Sequence, residues 1–437
     1  MSAVTGAYSM VRQQFGLQIG LMEGVEEKIA RIAALTYMME GARIYACSAI
    51  DNGIQPPVTS AVLKAYTTRL FQDLVIDGMD VFSGAGVMQG PNNILGMGYK
   101  SAPVAITVEG ANILTRTLMI FGQGATRCHP YALKVVDAVE SDDAAKFRAN
   151  LLGWLGHFFL GGLRTLMRGL TRGWTVGVPD VAPQTRVYYR RLGWAASRFG
   201  FLTDLAMFAI GGKLKVRGKL TGRYADVLAW LILGMSTLRR FEAEGRREED
   251  LPLVHFALHH ALAQAQSAFE GIYQNFDGPL GFVLRNVLGP LLRLNPVGVA
   301  PDDRLSHRAA VCIQTWNEQY RRLHDTVFVA KDESHGAARL LRAFRSVSEA
   351  HPATERIIHA QRARKLPRGY LPAEIADEAV KAGIVNPAEA KLLKEALAAR
   401  LEAIEVDEFK PEQYFAEVDA AGGLVHGEMP LKRVVNA

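Results

Sequence analysis

Three cysteines in 437 residues, Cys47, Cys128 and Cys312, are too few and too far apart for a disulfide framework or a paired thiolate metal site. Long hydrophobic runs are missing as well. The longest, "LLGWLGHFFLGGL" and "DVLAWLILGM", fall short of the roughly 20 apolar residues that cross a bilayer, so no spanning helix is expected. The opening "MSAVTGAYSMVRQQFG" does not order a basic start, an apolar centre and a small-residue cleavage site, so no signal peptide is expected there. Alternating strand patterns are scarce and no fixed-period repeat is visible, which argues against all-β and solenoid architectures. A reducing, cytoplasmic setting fits these absences.

What is present is hydrophobic residue at helical spacing. A chain that is 49% hydrophobic and 22% charged has enough apolar side chain to bury a large core, so disorder is not expected for its bulk. In "GLMEGVEEKIARIAALTYMMEGARIYACSAI", Ile29, Ile32, Ala33 and Thr36 to Met39 recur at three- and four-residue steps and mark a buried helix face. Pro56 and Pro57 suit the start of the next helix, which the glycines of "SGAGVMQG" are expected to end. A loop, "QGPNNILGMGYKSAP", follows and is expected to be bounded by Pro103. "ANILTRTLMIFGQG" reads as an apolar helix stopping near Gly122 and Gly124, and "VESDDAAK" as a polar joint. Beyond it, "HFALHHALAQAQSAFEGIYQNF" and "SHRAAVCIQTWNEQYRRLHDTVFVA" are helical patterns, and Asn386, Pro387 and Glu389 form a helix-start signature. The expected class is mainly α: a bundle over 1–142 and a second helical extension over 143–437.

The net charge of +6 is unevenly spread. Between Leu151 and Arg223, twelve Lys or Arg face two acids, Asp180 and Asp204. Lipid head groups, nucleic acid and acidic partners are all drawn to such a field. No nucleic-acid-binding motif accompanies it, and nucleic acid is not expected as a partner. Arg164, Arg168 and Arg172 recur every four residues among Trp154, Phe158, Phe159, Leu163, Leu166, Met167 and Leu170, an interfacial-helix composition. Packing of that apolar side on the bundle is the competing reading. His255 and His259 share a helix face but lack a glutamate between them and a third ligand, so no metal site is expected. Cys128 and His129 are adjacent and point apart, which argues against a nucleophile–base pair.

One acid stands out in "AITVEGANILTR". Glu109 precedes a glycine where a helix is about to begin, and taken alone it reads as an acid complementing a helix dipole. It does not stand alone. "YSMVRQQFG", "MDVFSGAG", "GYKSAP" and "ITVEGANILTR", in that order, resemble the C-terminal helical domain of acyl-CoA dehydrogenases. "EGANILTR" followed by "IFGQGATRCHPY" and a long extension resembles the large bacterial fatty acyl-CoA dehydrogenases in particular.

The resemblance implies α,β-dehydrogenation of fatty acyl-CoA thioesters in β-oxidation, with FAD accepting hydride and Glu109 abstracting the α-proton. It implies that Gly110 lets the acyl chain pass close to the backbone. Ala111 stands where relatives carry a hydroxyl residue that contacts flavin. Arg12 and Phe15 match residues that reach FAD's pyrophosphate and adenosine across a subunit interface, and Gly84 matches a glycine beside the cofactor. Asp80 replaces a glutamine, and Lys100 and Ser101 replace an arginine–aspartate pair. Long-chain acyl-CoA, self-association, and an electron-transferring flavoprotein or quinone-linked acceptor are the implied partners. Peripheral contact of 151–223 with the inner face of the membrane is a further expectation. Relatives place a helical and a β domain ahead of this stretch, and none of the 437 residues supplies them. The sequence is therefore expected to be a fragment, one of two polypeptides, or a non-catalytic helical scaffold or membrane-surface module.

Overall fold

Two helices form the centre because each buries most of its length. Gly218–Ala243 buries fifteen residues and Leu251–Asn275 fourteen, more than a narrow apolar stripe holds, while Lys219, Arg239, Gln264 and Ser267 stay exposed. They pack on each other and on Glu23–Asp51, which in turn carries Asp303–Gln314. The computed structural model describes residues 1–88, 90, 92–334 and 336–408. Over these the protein is helical, as expected, apart from a short antiparallel hairpin pairing Gln13–Gln14 with Leu17–Gln18.

The helix Ser2–Val11 is buried along nearly its whole length, held between Asp303–Gln314 and Gly336–Arg362. Its glycine is required there. A Cβ on Gly6 would stand 2.1 Å from the carbonyl oxygen of Ile313. Tyr320 donates to the Ala3 carbonyl at 2.9 Å and Gln314 to that of Gly20 at 2.8 Å, so late residues clamp the first twenty. Tyr8 stacks on Phe82 with ring centres 4.0 Å apart. One core cluster consequently runs from Ala3 to Phe344, across the 142/143 boundary suggested by the sequence. A smaller cluster, Ala350 to Ala396, joins Gly336–Arg362 to Pro387–Ile404.

Three expected boundaries lie elsewhere. The loop expected to reach Pro103 ends at Leu95, where a helix, Gly96–Thr107, begins with the proline inside it. Pro103 and Tyr99, whose carbonyl loses its donor, are both exposed, so water can take the missing bond. The next helix does not stop at Gly122 or Gly124 but runs Asn112–Cys128, with a π-helical stretch Thr115–Gln123. Gly124 has helical φ, −62°, and a Cβ there would touch Val58 at 3.4 Å, so it serves close packing. The end comes at His129, whose extended backbone suits the residue before Pro130. The pattern from Ser306 to Ala330 breaks at Asn317, which caps a separate helix, Glu318–Leu323.

Candidate functional site

Between Gly96–Thr107 and Asn112–Cys128 the chain bends by 49° through Val108, Glu109 and Gly110. Glu109 has φ 54° and Gly110 φ 90°, two consecutive left-handed residues of which only the glycine is at ease. Ala111 is the N-cap of the following helix, whose first turn contains no acid. Glu109 therefore lies ahead of the cap and is not a first-turn acid complementing the dipole. Its side chain is exposed.

The bend is tied to the Pro57–Phe82 helix. Lys64 donates to the Gly110 carbonyl and to Asn112 Oδ1. Asn112 Nδ2 donates to the Ala65 carbonyl at 3.0 Å and to Thr68 Oγ1 at 2.9 Å. A cavity of about 870 Å³ opens beside the bend, with Ile106, Thr107, Ala111 and Ile113 on one wall and Leu70 and Trp230 on the other. Its charged groups are largely paired. Asp226 accepts from Arg116 Nε and from the Tyr66 hydroxyl, each at 2.6 Å. That hydrogen bond holds the Arg116 guanidinium above its usual range, and burial, with the Asp226 charge behind it, raises the Tyr66 hydroxyl. Arg116 thus stays charged and Tyr66 stays a neutral donor. Val108, Glu109 and Gly110 are not part of the cavity wall; Thr107 and Ala111, on either side of them, are.

A second cavity, about 430 Å³, brings together Arg12 and Gly84, far apart in sequence, with Tyr8, Gln14 and Phe82. Arg12 closes the first helix and forms no ion pair with a described residue. A Cβ on Gly84 would meet nothing within 4 Å, so the backbone there is open to approach. Phe15 occupies the hairpin turn at φ 53°, 93% exposed, outside this wall. Asp80 is also outside it and pairs with Lys28 at 3.0 Å, so its charge is met within the chain. Ser101 is exposed on Gly96–Thr107 and donates to the Gly98 carbonyl.

The separate histidines are accounted for. His255 Nδ1 meets the Tyr188 hydroxyl at 2.8 Å and His259 Nδ1 the Val299 carbonyl at 3.3 Å. A different cluster, invisible to spacing, joins His129, His157 and Asp204 within 4.8 Å. Only "CHP" hinted at it, since a histidine before a proline ends a helix. Its carboxylate comes from 75 residues away.

Two family models match the chain: "Acyl-CoA dehydrogenase, C-terminal domain" over 3–120 and "Acyl-CoA dehydrogenase, C-terminal, bacterial type" over 126–409. Among solved structures, an acyl-CoA dehydrogenase complexed with FAD from Bacillus anthracis is similar, with a TM-score of 0.55 and 16% identity. The match covers 72% of this chain and 52% of that one, and at this identity it shows the fold alone. The chain thus spans about half the length of that relative.

Proposed function

The chain belongs to the acyl-CoA dehydrogenase family, and on that premise we propose that it carries the helical half of a fatty acyl-CoA dehydrogenase, with Glu109 as the base that takes the α-proton. The observation that carries this reading is the bend itself. A non-glycine residue at φ 54°, pinned from the Pro57–Phe82 helix by Lys64, stands between two residues lining a cavity of about 870 Å³. Backbone strain of this kind persists where the surroundings impose it, and it fixes where the Glu109 side chain leaves the backbone.

FAD would supply the hydride acceptor at the thioester's β-carbon. Arg12 suits its diphosphate, since a guanidinium without an ion-pair partner among the described residues offers paired donors beside an open glycine backbone. Phe15, exposed at the hairpin tip, suits an aromatic contact across an interface between copies, in keeping with self-association. Asp80 is neutralised by Lys28 and does not oppose an anion nearby. At the bend, Gly110 keeps the backbone free of a side chain, and Ala111 offers only a methyl group and its backbone to the flavin side. Glu109 holds the abstracted proton. Ile106, Ile113 and Leu70 form an apolar wall suited to an acyl tail. The 142/143 division is proposed as the joint between the general bundle and the bacterial-type extension, with Asp143 capping the helix that follows. An electron-transferring flavoprotein or a quinone-linked route is proposed as the acceptor.

Peripheral contact with the inner face of the membrane is proposed for 151–223. In the helix Ala144–Leu170 Trp154 alone is buried, while Phe159, Leu163, Leu166 and Leu170 are exposed beside Arg164, and Arg172, past the helix end, is exposed as well. No single helix among the described residues is long and apolar enough to cross a membrane. The same exposed side chains favour a second reading, a non-catalytic module that docks on anionic lipid. The visible spectrum of the full chain separates the two. Bound yellow flavin that bleaches with a long-chain acyl-CoA is the expected result; a colourless protein that floats with anionic liposomes favours the module.

A further inference from the structure

The helical stretch 278–294 exposes more large apolar side chains than it buries. It joins Gly278–Val283, a π-helical turn Leu284–Leu288 and Gly289–Leu294, and it packs on Leu251–Asn275. Only Gly281, Leu284 and Leu292 are buried. Phe282, Val283, Val287, Leu288, Leu291 and Leu294 are exposed, Phe282 at 65% and Leu294 at 77%. A single exposed leucine is ordinary on a protein surface, but so many large apolar side chains gathered on one short helix mark a contact face. None of them lines the cavity beside the Glu109 bend or the one that holds Arg12.

The end of the stretch fixes its place. Asn295 Nδ2 donates at 2.9 Å to the carbonyl of Gly169, the last residue but one of Ala144–Leu170. The chain neighbours of that bonded pair, Leu294 and Leu170, are 77% and 74% exposed. Two apolar strips from distant parts of the sequence therefore meet there. Charge is divided in the same way. No acid occurs from Gly278 to Pro301 or from Ala144 to Pro179, whereas both stretches carry arginines. Arg293 pairs with Glu270 at 3.4 Å, but Arg164, Arg172 and Arg285 are exposed and form no ion pair with a described residue.

A second copy of the chain is the first occupant to weigh. A twofold contact sets a patch against itself, so unpaired arginines would face arginines with no acid to meet them. An anionic membrane surface answers both features at once. Its head groups neutralise the arginines, and its acyl chains receive the apolar side chains.

We propose that 278–294 lies in the head-group layer of an anionic membrane together with Ala144–Leu170. The inference rests on the peripheral contact proposed for 151–223 and adds to it a second element outside that stretch. Phe282, Val287, Leu291 and Leu294 enter the apolar edge of the layer, while Arg164, Arg172 and Arg285 stay with the phosphates. Leu284 and Leu292 remain on the protein core, so binding requires no unfolding. The two anchors act together, because docking of one raises the local concentration of the other at the surface.

Flotation of the full chain with vesicles of phosphatidylglycerol and, separately, of phosphatidylcholine tests the proposal. The chain is expected to float with phosphatidylglycerol and to partition about tenfold or more weakly to phosphatidylcholine. Phe282→Glu combined with Leu291→Glu, both at exposed positions, should weaken flotation by about tenfold or more with melting temperature and oligomeric state unchanged. Leu163→Glu combined with Leu166→Glu should weaken it likewise and reports on 151–223 alone. Loss in that second pair with full flotation in the first leaves the contact of 151–223 standing and overturns this inference. A chain that floats with neither vesicle overturns both. Dissociation of an oligomer by Phe282→Glu with Leu291→Glu also overturns it, because the face then belongs to a second copy.

Discussion

Glu109 and Gly110 differ in what their shared backbone conformation costs them. The left-handed region is open to glycine, whereas a Cβ there adds roughly 1–2 kcal/mol. A Cβ on Gly110 would have room, its nearest neighbour being Thr115 Oγ1 at 3.5 Å, so the effect of Gly110→Ala isolates the backbone. Urea unfolding of Gly110→Ala should show a lower midpoint at unchanged slope, a loss of about 1–2 kcal/mol. Sequence showed which residues stand at 109 and 110 and could not show their φ, because "VEG" is compatible with a helix start and with a bend between two helices. It likewise placed His129 and Asp204 in unrelated segments; their 2.7 Å contact depends on two helices packing, which no local pattern encodes.

Helices were legible where their signals were local. The Asn386–Pro387–Glu389 signature is a full capping box, with Asn386 Oδ1 accepting from the Glu389 N–H at 2.8 Å and the Glu389 carboxylate accepting from the Asn386 N–H at 3.0 Å. Asn386→Ala is expected to cost about 1 kcal/mol, read as a lower melting temperature. Glycine and proline misled where tertiary packing outweighed propensity, as at Pro103 and Gly124. Gly6 makes the point in reverse. Nothing local marks it, yet the carbonyl of Ile313 occupies the place of its Cβ. Gly6→Ala should loosen the first helix from Asp303–Gln314, and hydrogen exchange should speed up over residues 2–11 before it does elsewhere in the core.

The whole molecule keeps several histidines uncharged in its core. Burial pushes His255, His260 and His324 down to about 4 from the usual 6.5. The unfolded chain therefore binds more protons than the folded one between those values, and stability falls as pH drops from about 6.5 toward 4. The melting temperature should be lower at pH 5 than at pH 7. His324→Gln should flatten that slope, because His324 bridges the Tyr320 carbonyl and Ser2 Oγ in its neutral form. A melting temperature that does not change between pH 7 and 5 contradicts this account. The mainly helical class was readable from periodicity alone. The single core joining Ala3 to Phe344 was not, since it rests on contacts between residues some three hundred positions apart.

The most direct measurement of the central claim is exchange of the acyl-CoA α-proton with deuterated water on the flavin-loaded protein, comparing Glu109 with Glu109→Gln. Loss of exchange by a factor on the order of 10² or more, at unchanged flavin content, is the expected result. Exchange at the unaltered rate in Glu109→Gln contradicts the account, because another group would then be removing the proton.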